Sequence, residues 1–97
     1  MLNKLKNEIE IVLRHIEVIK AVTEHQPIGI LKLSEIMDIP SHKIRYSLKV
    51  LEQLGYISAS PSGAVATPKA ADLMENLDIQ ADELIDLLKK IKSAAES

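Results

Sequence analysis

The stretch Leu33-x-x-Ile36-Met37-x-Ile39-Pro40-Ser41-x-x-Ile44-x-x-x-Leu48-x-x-Leu51-x-x-Leu54-Gly55-Tyr56-Ile57 decides how this chain folds. Its apolar residues fall at helical intervals on either side of Asp38-Ile39-Pro40, and Gly55 stops the second run. Two helices joined by a tight turn are therefore expected, from Leu31 to Asp38 with Leu33, Ile36 and Met37 buried, and from Ser41 to about Leu54. Ser41 suits the N-cap of the second helix, because its hydroxyl can accept a bond from a free amide of the first turn. Ile39, apolar within the turn, is placed to plug the junction.

The residues after Gly55 change period. Tyr56-Ile57-Ser58-Ala59 reads as a strand, Ser60-Pro61-Ser62-Gly63 as a turn and Ala64-Val65-Ala66-Thr67 as the returning strand. Thr67 and Pro68 then cap and open another helix, since proline at the first helical position has no amide to leave unpaired. Before the spine, Pro27 ends a long helix near His25 by disfavouring helix at the residue before it. Pro27-Ile28-Gly29-Ile30 reads as a short extended piece. From Ile28 to Lys69 the order is extended piece, helix, turn, helix and hairpin. That order resembles the winged-helix (winged helix-turn-helix) family of DNA-binding domains. The strand, Thr67-x-Lys69 and helix succession is similar to the segment after the wing in multiple-antibiotic-resistance-type dimeric repressors, although Ala70 stands where those families often carry glycine.

The resemblance implies a DNA-binding transcriptional regulator with the helix at about 41–54 in the major groove. At 100° per residue, Ile44, Leu48, Leu51 and Leu54 span an arc of about 120° facing the core. The opposite side carries His42, Arg45, Tyr46, Lys49 and Gln53, with Lys43 at its margin. These groups can reach phosphates or base edges. Tyr46 is one of only two aromatic residues in the chain and lies where the core cannot use it, which suggests a contact surface. Tyr56 is assigned to structure. Family wings that grip the minor groove usually carry Arg or Lys, whereas this hairpin offers Ser58, Ser60 and Ser62 and no cation before Lys69. The expected DNA-contacting set is Ser41, His42, Lys43, Arg45, Tyr46, Lys49, Ser60 and Ser62.

Length and composition bound the rest. A chain of 97 residues has room for one domain with one core, here divided into an N-terminal helix (1–26), the helix-turn-helix and wing (28–69) and C-terminal helices (70–97). Leu, Ile, Val and Ala supply nearly all of the 46% hydrophobic content, with no Phe, Trp or Cys. The expected class is mainly α with a small β-hairpin wing (α+β), a winged helix-turn-helix flanked by long terminal helices. No disulfide framework or thiolate site is available. The start Met1-Leu2-Asn3-Lys4-Leu5-Lys6 lacks a secretory cleavage signal, and no apolar run approaches the roughly 18 to 20 residues of a membrane span, so a cytoplasmic protein without membrane association is expected.

Net charge is −2, unevenly distributed. Residues 1–26 balance to zero, residues 27–69 carry +2 and residues 70–97 carry −4. The basic segment coincides with the resemblance, but its small excess argues against tight DNA binding by a lone monomer. Leu2, Leu5, Ile9, Val12, Ile16 and Ile19 keep the a/d spacing of a coiled-coil seam. The C-terminal segment places Leu73, Met74 and Leu77 before an expected break at Asp78 to Gln80, then a helix from Ala81 to about Ala95 with Leu84, Leu87, Leu88 and Ile91 in one stripe. Its acids precede its lysines, as the helix dipole favours. These two stripes exceed what a trihelical core can cover, so a homodimer through the terminal helices is expected.

Nothing assembles into an enzyme. His15, His25 and His42 are scattered, zinc spacing is missing and Gly29, Gly55 and Gly63 are isolated, so no catalytic group, metal or cofactor is expected. No sensor site for a small effector is legible. A winged helix can also serve as a protein-interaction or assembly module without DNA binding, and the overall negative charge, uncharged wing and surplus apolar surface fit that alternative.

Overall fold

A computed structural model describes residues 1–96 as four helices and one hairpin: α1 (Leu2–His25), α2 (Ile30–Met37), α3 (Ser41–Gln53), β1 (Ile57–Ser60), β2 (Gly63–Ala66) and α4 (Pro68–Ala94). The chain is 75% helical, an α+β architecture. Val18, Ile19 and Val22 of α1, Leu33 of α2, Ile44 and Leu51 of α3, Ile57 of β1 and Ala70 of α4 converge on one core. Aliphatic side chains at helical spacing fill it, as expected for ridges of Leu, Ile and Val.

Local chemistry explains most boundaries. α1 stops at His25, where Gln26 takes an extended conformation before Pro27. α2 ends in a left-handed residue, Asp38 (φ 53°), a conformation that Asp and Asn tolerate better than most side chains. The Asp38 and Ile39 amides both donate to the Ser34 carbonyl, while the Ser34 hydroxyl donates to the Ile39 carbonyl at 2.5 Å. Ile39 is thereby held half-buried against the core. Gly55 (φ 86°) reverses the chain after α3, and the Tyr56 amide returns to the Leu51 carbonyl at 2.9 Å.

Several expectations are corrected. α2 runs from Ile30 to Met37, and Ile36 is exposed, because a helix this short turns only Leu33, Ile30 and Met37 toward the core. Leu54 lies beyond the last turn of α3 and is also exposed. Ser41 is the first helical residue rather than the cap. Pro40 holds the cap position, its carbonyl accepting from the Lys43 and Ile44 amides, and no side chain caps the helix. Thr67 does hold the cap position of α4, yet its hydroxyl donates to the Gly55 carbonyl instead of accepting from its own helix. The break at Asp78 to Gln80 does not occur: α4 is continuous. That tripeptide contains neither Gly nor Pro, and Asp costs a helix interior only about 0.7 kcal/mol, too little to interrupt the Leu73, Leu77, Leu84 stripe.

The wing is a two-stranded antiparallel hairpin in the register Ile57↔Ala66, Ser58↔Val65, Ala59↔Ala64 and Ser60↔Gly63. The extended piece before α2 joins it through a single bridge, Ile28↔Ala64, with amide-to-carbonyl distances of 3.1 and 2.7 Å. Gln26 Oε1 accepts from the Ala66 amide at 2.8 Å, a second tie from the end of α1 to the hairpin. Gly63 is required for this junction: its φ is +131°, and a Cβ there would lie 2.6 Å from the Ile28 carbonyl carbon. Gly29 has φ −89° and open space around its Cβ position. Urea unfolding should therefore show Gly63→Ala less stable by at least about 2 kcal/mol, from left-handed strain plus a backbone clash. Gly29→Ala should change stability by no more than about 0.5 kcal/mol, lost capping preference offsetting reduced unfolded-state entropy.

Candidate nucleic-acid interface

Burial of one stripe of α3 dictates which of its side chains face outward. Ile44 and Ser47 have no exposed surface and Leu51 has almost none, so His42, Arg45 and Lys49 are turned to solvent. Arg45 and Lys49 lie along a groove of about 420 Å3 between α3 and the wing, whose far wall includes Ala59 and Ser60. Glu52 is also in this groove, at its α3 end. The groove brings the strongest donors of the candidate set beside the hairpin.

The rest of the set is divided. Ser41 is half-buried at the start of α3, and Lys43 lies on the opposite flank, in a crevice with Arg14 of α1 and Asp38 of the turn. Ser60 is half-buried, and its hydroxyl donates to the Gly63 carbonyl at 2.6 Å while accepting from the Ser62 amide at 3.3 Å. Its donor is engaged in closing the turn. Ser62 is exposed at the tip.

Tyr46 lies outside the core and also stands beside α1. Its ring centroid lies 6.0 Å from that of His15, and the Arg14 guanidinium carbon stands 5.9 Å from it, so Tyr46 flanks the joint between α1 and α3 while 53% of its surface stays exposed. Tyr56 packs against the core as expected, and Lys69 Nζ stands 5.0 Å over its ring while donating to the Leu54 carbonyl at 2.6 Å.

The sequence reading missed the centre of that joint. Ser47 is fully buried, and its Oγ lies 2.9 Å from Arg14 Nε and 2.9 Å from His15 Nδ1. The available signal was a serine inside the apolar arc of α3, between Ile44 and Leu51. Burial, and then the Arg14 charge beside it, lower the His15 pKa below its ordinary 6.5. Among the described residues, no cluster of three or more His, Cys, Asp or Glu side chains is grouped to hold a metal ion.

MarR of Staphylococcus aureus, in a structure titled as its complex with salicylate and kanamycin, is similar over 96% of this chain and 83% of its own, with a TM-score of 0.61 and 20% identity. The activation domain of the phage T4 transcription factor MotA is similar over 74% of this chain and 78% of its own, with a TM-score of 0.58 and 20% identity. The chain has a winged-helix fold. Within that winged helix, α2 and α3 form the helix-turn-helix and β1 and β2 the wing, an architecture shared with small transcriptional regulators. The sequence matches no protein-family model and no curated protein at a significant level. No helix among the described residues is long and apolar enough to cross a membrane.

Two stability measurements follow. Ser47→Ala removes the acceptor of the Arg14 N–H and the partner of His15, and should cost about 1 to 3 kcal/mol in urea unfolding. Because the folded pKa of His15 is lowered, the unfolded chain takes up a proton first as pH falls. The His15 contribution is thus complete above about pH 6.5 and is lost as pH falls through the lower folded value. Thermal unfolding between pH 7.5 and 5 should lose more stability in the wild type than in His15→Gln. Equal slopes would contradict the assignment.

Proposed function

We propose that this winged helix is a sequence-specific DNA-binding transcriptional regulator, acting in the cytoplasm as a homodimer and without catalytic activity. The observation that carries the reading is the placement of Arg45 and Lys49 along one groove with the wing, beside His42 on an outward face of α3. A helix of 13 residues is about 20 Å long and fits the major groove by its outward side chains. Arg45, Lys49 and His42 would meet phosphates or base edges, Lys43 and Ser41 the backbone near the start of α3, and Tyr46 its flank. Ser62 and the tip amides would meet phosphate, with Ser60 holding the turn that presents them. The fold's recurrence in the activation domain of a transcription factor and in MarR supports regulation, while the groove chemistry supports DNA.

The uncharged wing sets the expected strength. With few cations per protomer, each DNA complex releases few counterions, so affinity falls gently with salt and two linked protomers are needed for a useful site. The terminal helices support that pairing. Every residue of α1 up to Leu13 and every described residue from Asp82 onward is exposed, yet Leu5, Ile9 and Val12 and Leu84, Leu88 and Ile91 continue the heptad stripes into that region. An interaction module is the second reading, favoured by this same apolar surface and by Leu31, 78% exposed on α2.

Fluorescence anisotropy with mixed-sequence duplex DNA tests the first reading. The wild type should bind at low salt and weaken as salt rises, and Arg45→Ala should bind more weakly with a log-log salt slope smaller by about 0.9, the loss of one phosphate contact. No binding by the wild type at low salt would overturn DNA recognition in favour of the interaction module. In sedimentation velocity the wild type should be a dimer, and Leu88→Glu with Ile91→Glu should yield folded monomer, because both positions are exposed within the protomer. A wild-type monomer at micromolar concentration would contradict the pairing.

A further inference from the structure

Ser47 is the one fully buried polar side chain of the core among the described residues, and it links residues more than thirty positions apart in sequence. Its two partners are consecutive on α1, so they grip α3 at one point. Their chemistry allows one fully satisfied arrangement. Arg14 Nε can only donate, so the Ser47 oxygen accepts there, and the remaining hydroxyl proton is available to His15 Nδ1 at 2.9 Å. That bond requires Nδ1 to be unprotonated. Neutral His15, carrying its proton on Nε2, completes the joint, and no buried polar side-chain atom among the described residues is left without a partner.

A second proton on His15 changes every part of it. Nδ1 becomes a donor aimed at an oxygen that already receives an N–H from a cation, the Ser47 hydroxyl proton loses its acceptor, and an imidazolium is set beside the Arg14 guanidinium. Arg14 on its own helix and the Tyr46 ring of α3 stand beside His15, and Tyr56 after α3 and Gln80 with apolar neighbours on α4 share the pocket that it lines, which holds no carboxylate. Ser47 lies between Arg45 and Lys49 in sequence, so a shift at the joint is transmitted directly to the two cations that border the wing groove.

We propose that Arg14, His15 and Ser47 are positioning residues that hold α3 in its DNA-competent pose on α1, and that protonation of His15 releases this pose while the domain stays folded. The DNA consequence rests on the function proposed above, whereas the movement of α3 does not. Acid thus weakens DNA binding through the joint.

The test follows the His15 ring and the backbone amides of α3 by NMR from pH 7.5 to 5, alongside DNA anisotropy at both ends of the range. In the wild type, amides at Lys49, Val50 and Leu51, one turn past the joint, should titrate with the His15 midpoint. Ser47→Ala and His15→Gln should both abolish that transition. His15 is only half-buried, so His15→Gln remains informative if Ser47→Ala does not fold. Wild-type DNA affinity should fall at least about fivefold more than that of His15→Gln over the same range, the scale of a modest coupling. Amides of α3 that ignore the His15 transition would overturn the proposal, as would identical pH dependence of DNA binding in wild type and His15→Gln. If the wild type binds no DNA at pH 7.5, the regulator reading fails, and the α3 amides alone decide the joint.

Discussion

The burial of Ile44, Ser47 and Leu51 against α1 and α2 is the constraint from which the rest of this winged helix follows. A helix has one rotation about its axis, and once that stripe is pressed into the core the outward positions are no longer free to vary. Arg45 and Lys49 must then lie toward the wing and Lys43 and Tyr46 toward α1. Two apolar anchors fix the depth of α3. The polar one between them fixes its rotation, because a hydroxyl bonded to two side chains tolerates less sliding than an aliphatic contact.

The wing depends on a different contact. Gly63 lets the Ile28 backbone approach so closely that the linker between α1 and α2 becomes a partial third strand, and Gln26 adds a tie to Ala66. The hairpin is thus braced by the segment that joins the first two helices. The groove between α3 and the wing thus has walls that are set by separate contacts on each side.

Much of the architecture was legible because local rules and tertiary demands agree. Apolar periodicity, Pro27, Gly55 and the Ser60-Pro61-Ser62-Gly63 turn gave the helices and hairpin almost where they occur. The misses have distinct physical causes. Asp78 to Gln80 reads as a break between two apolar stripes, but nothing there forbids helix. Ile36 and Leu54 satisfied a periodic pattern while lying at the end of elements too short to bury them. Ser41 had the chemistry of a cap, yet Pro40 took the position. The Ser47 joint was invisible for a deeper reason: its partners are distant in sequence, and no local pattern distinguishes a serine awaiting an arginine and a histidine from one that merely interrupts a stripe. The neighbours of Tyr46, His15 and Arg14, are equally distant in sequence and leave no local mark. The bonds of the Ser60 hydroxyl to the Gly63 carbonyl and the Ser62 amide, which engage Ser60 and leave the Ser62 side chain outward, likewise needed coordinates.

The central claim is that α3 and the wing tip form the surface that meets DNA. Chemical-shift mapping of the isotope-labelled protein with a short duplex at low salt addresses it residue by residue. The account predicts that perturbations concentrate at His42, Arg45 and Lys49 and at Ser62, with the exposed halves of α1 and α4 unaffected. Perturbations confined to those terminal helices, or none at saturating duplex, would contradict it.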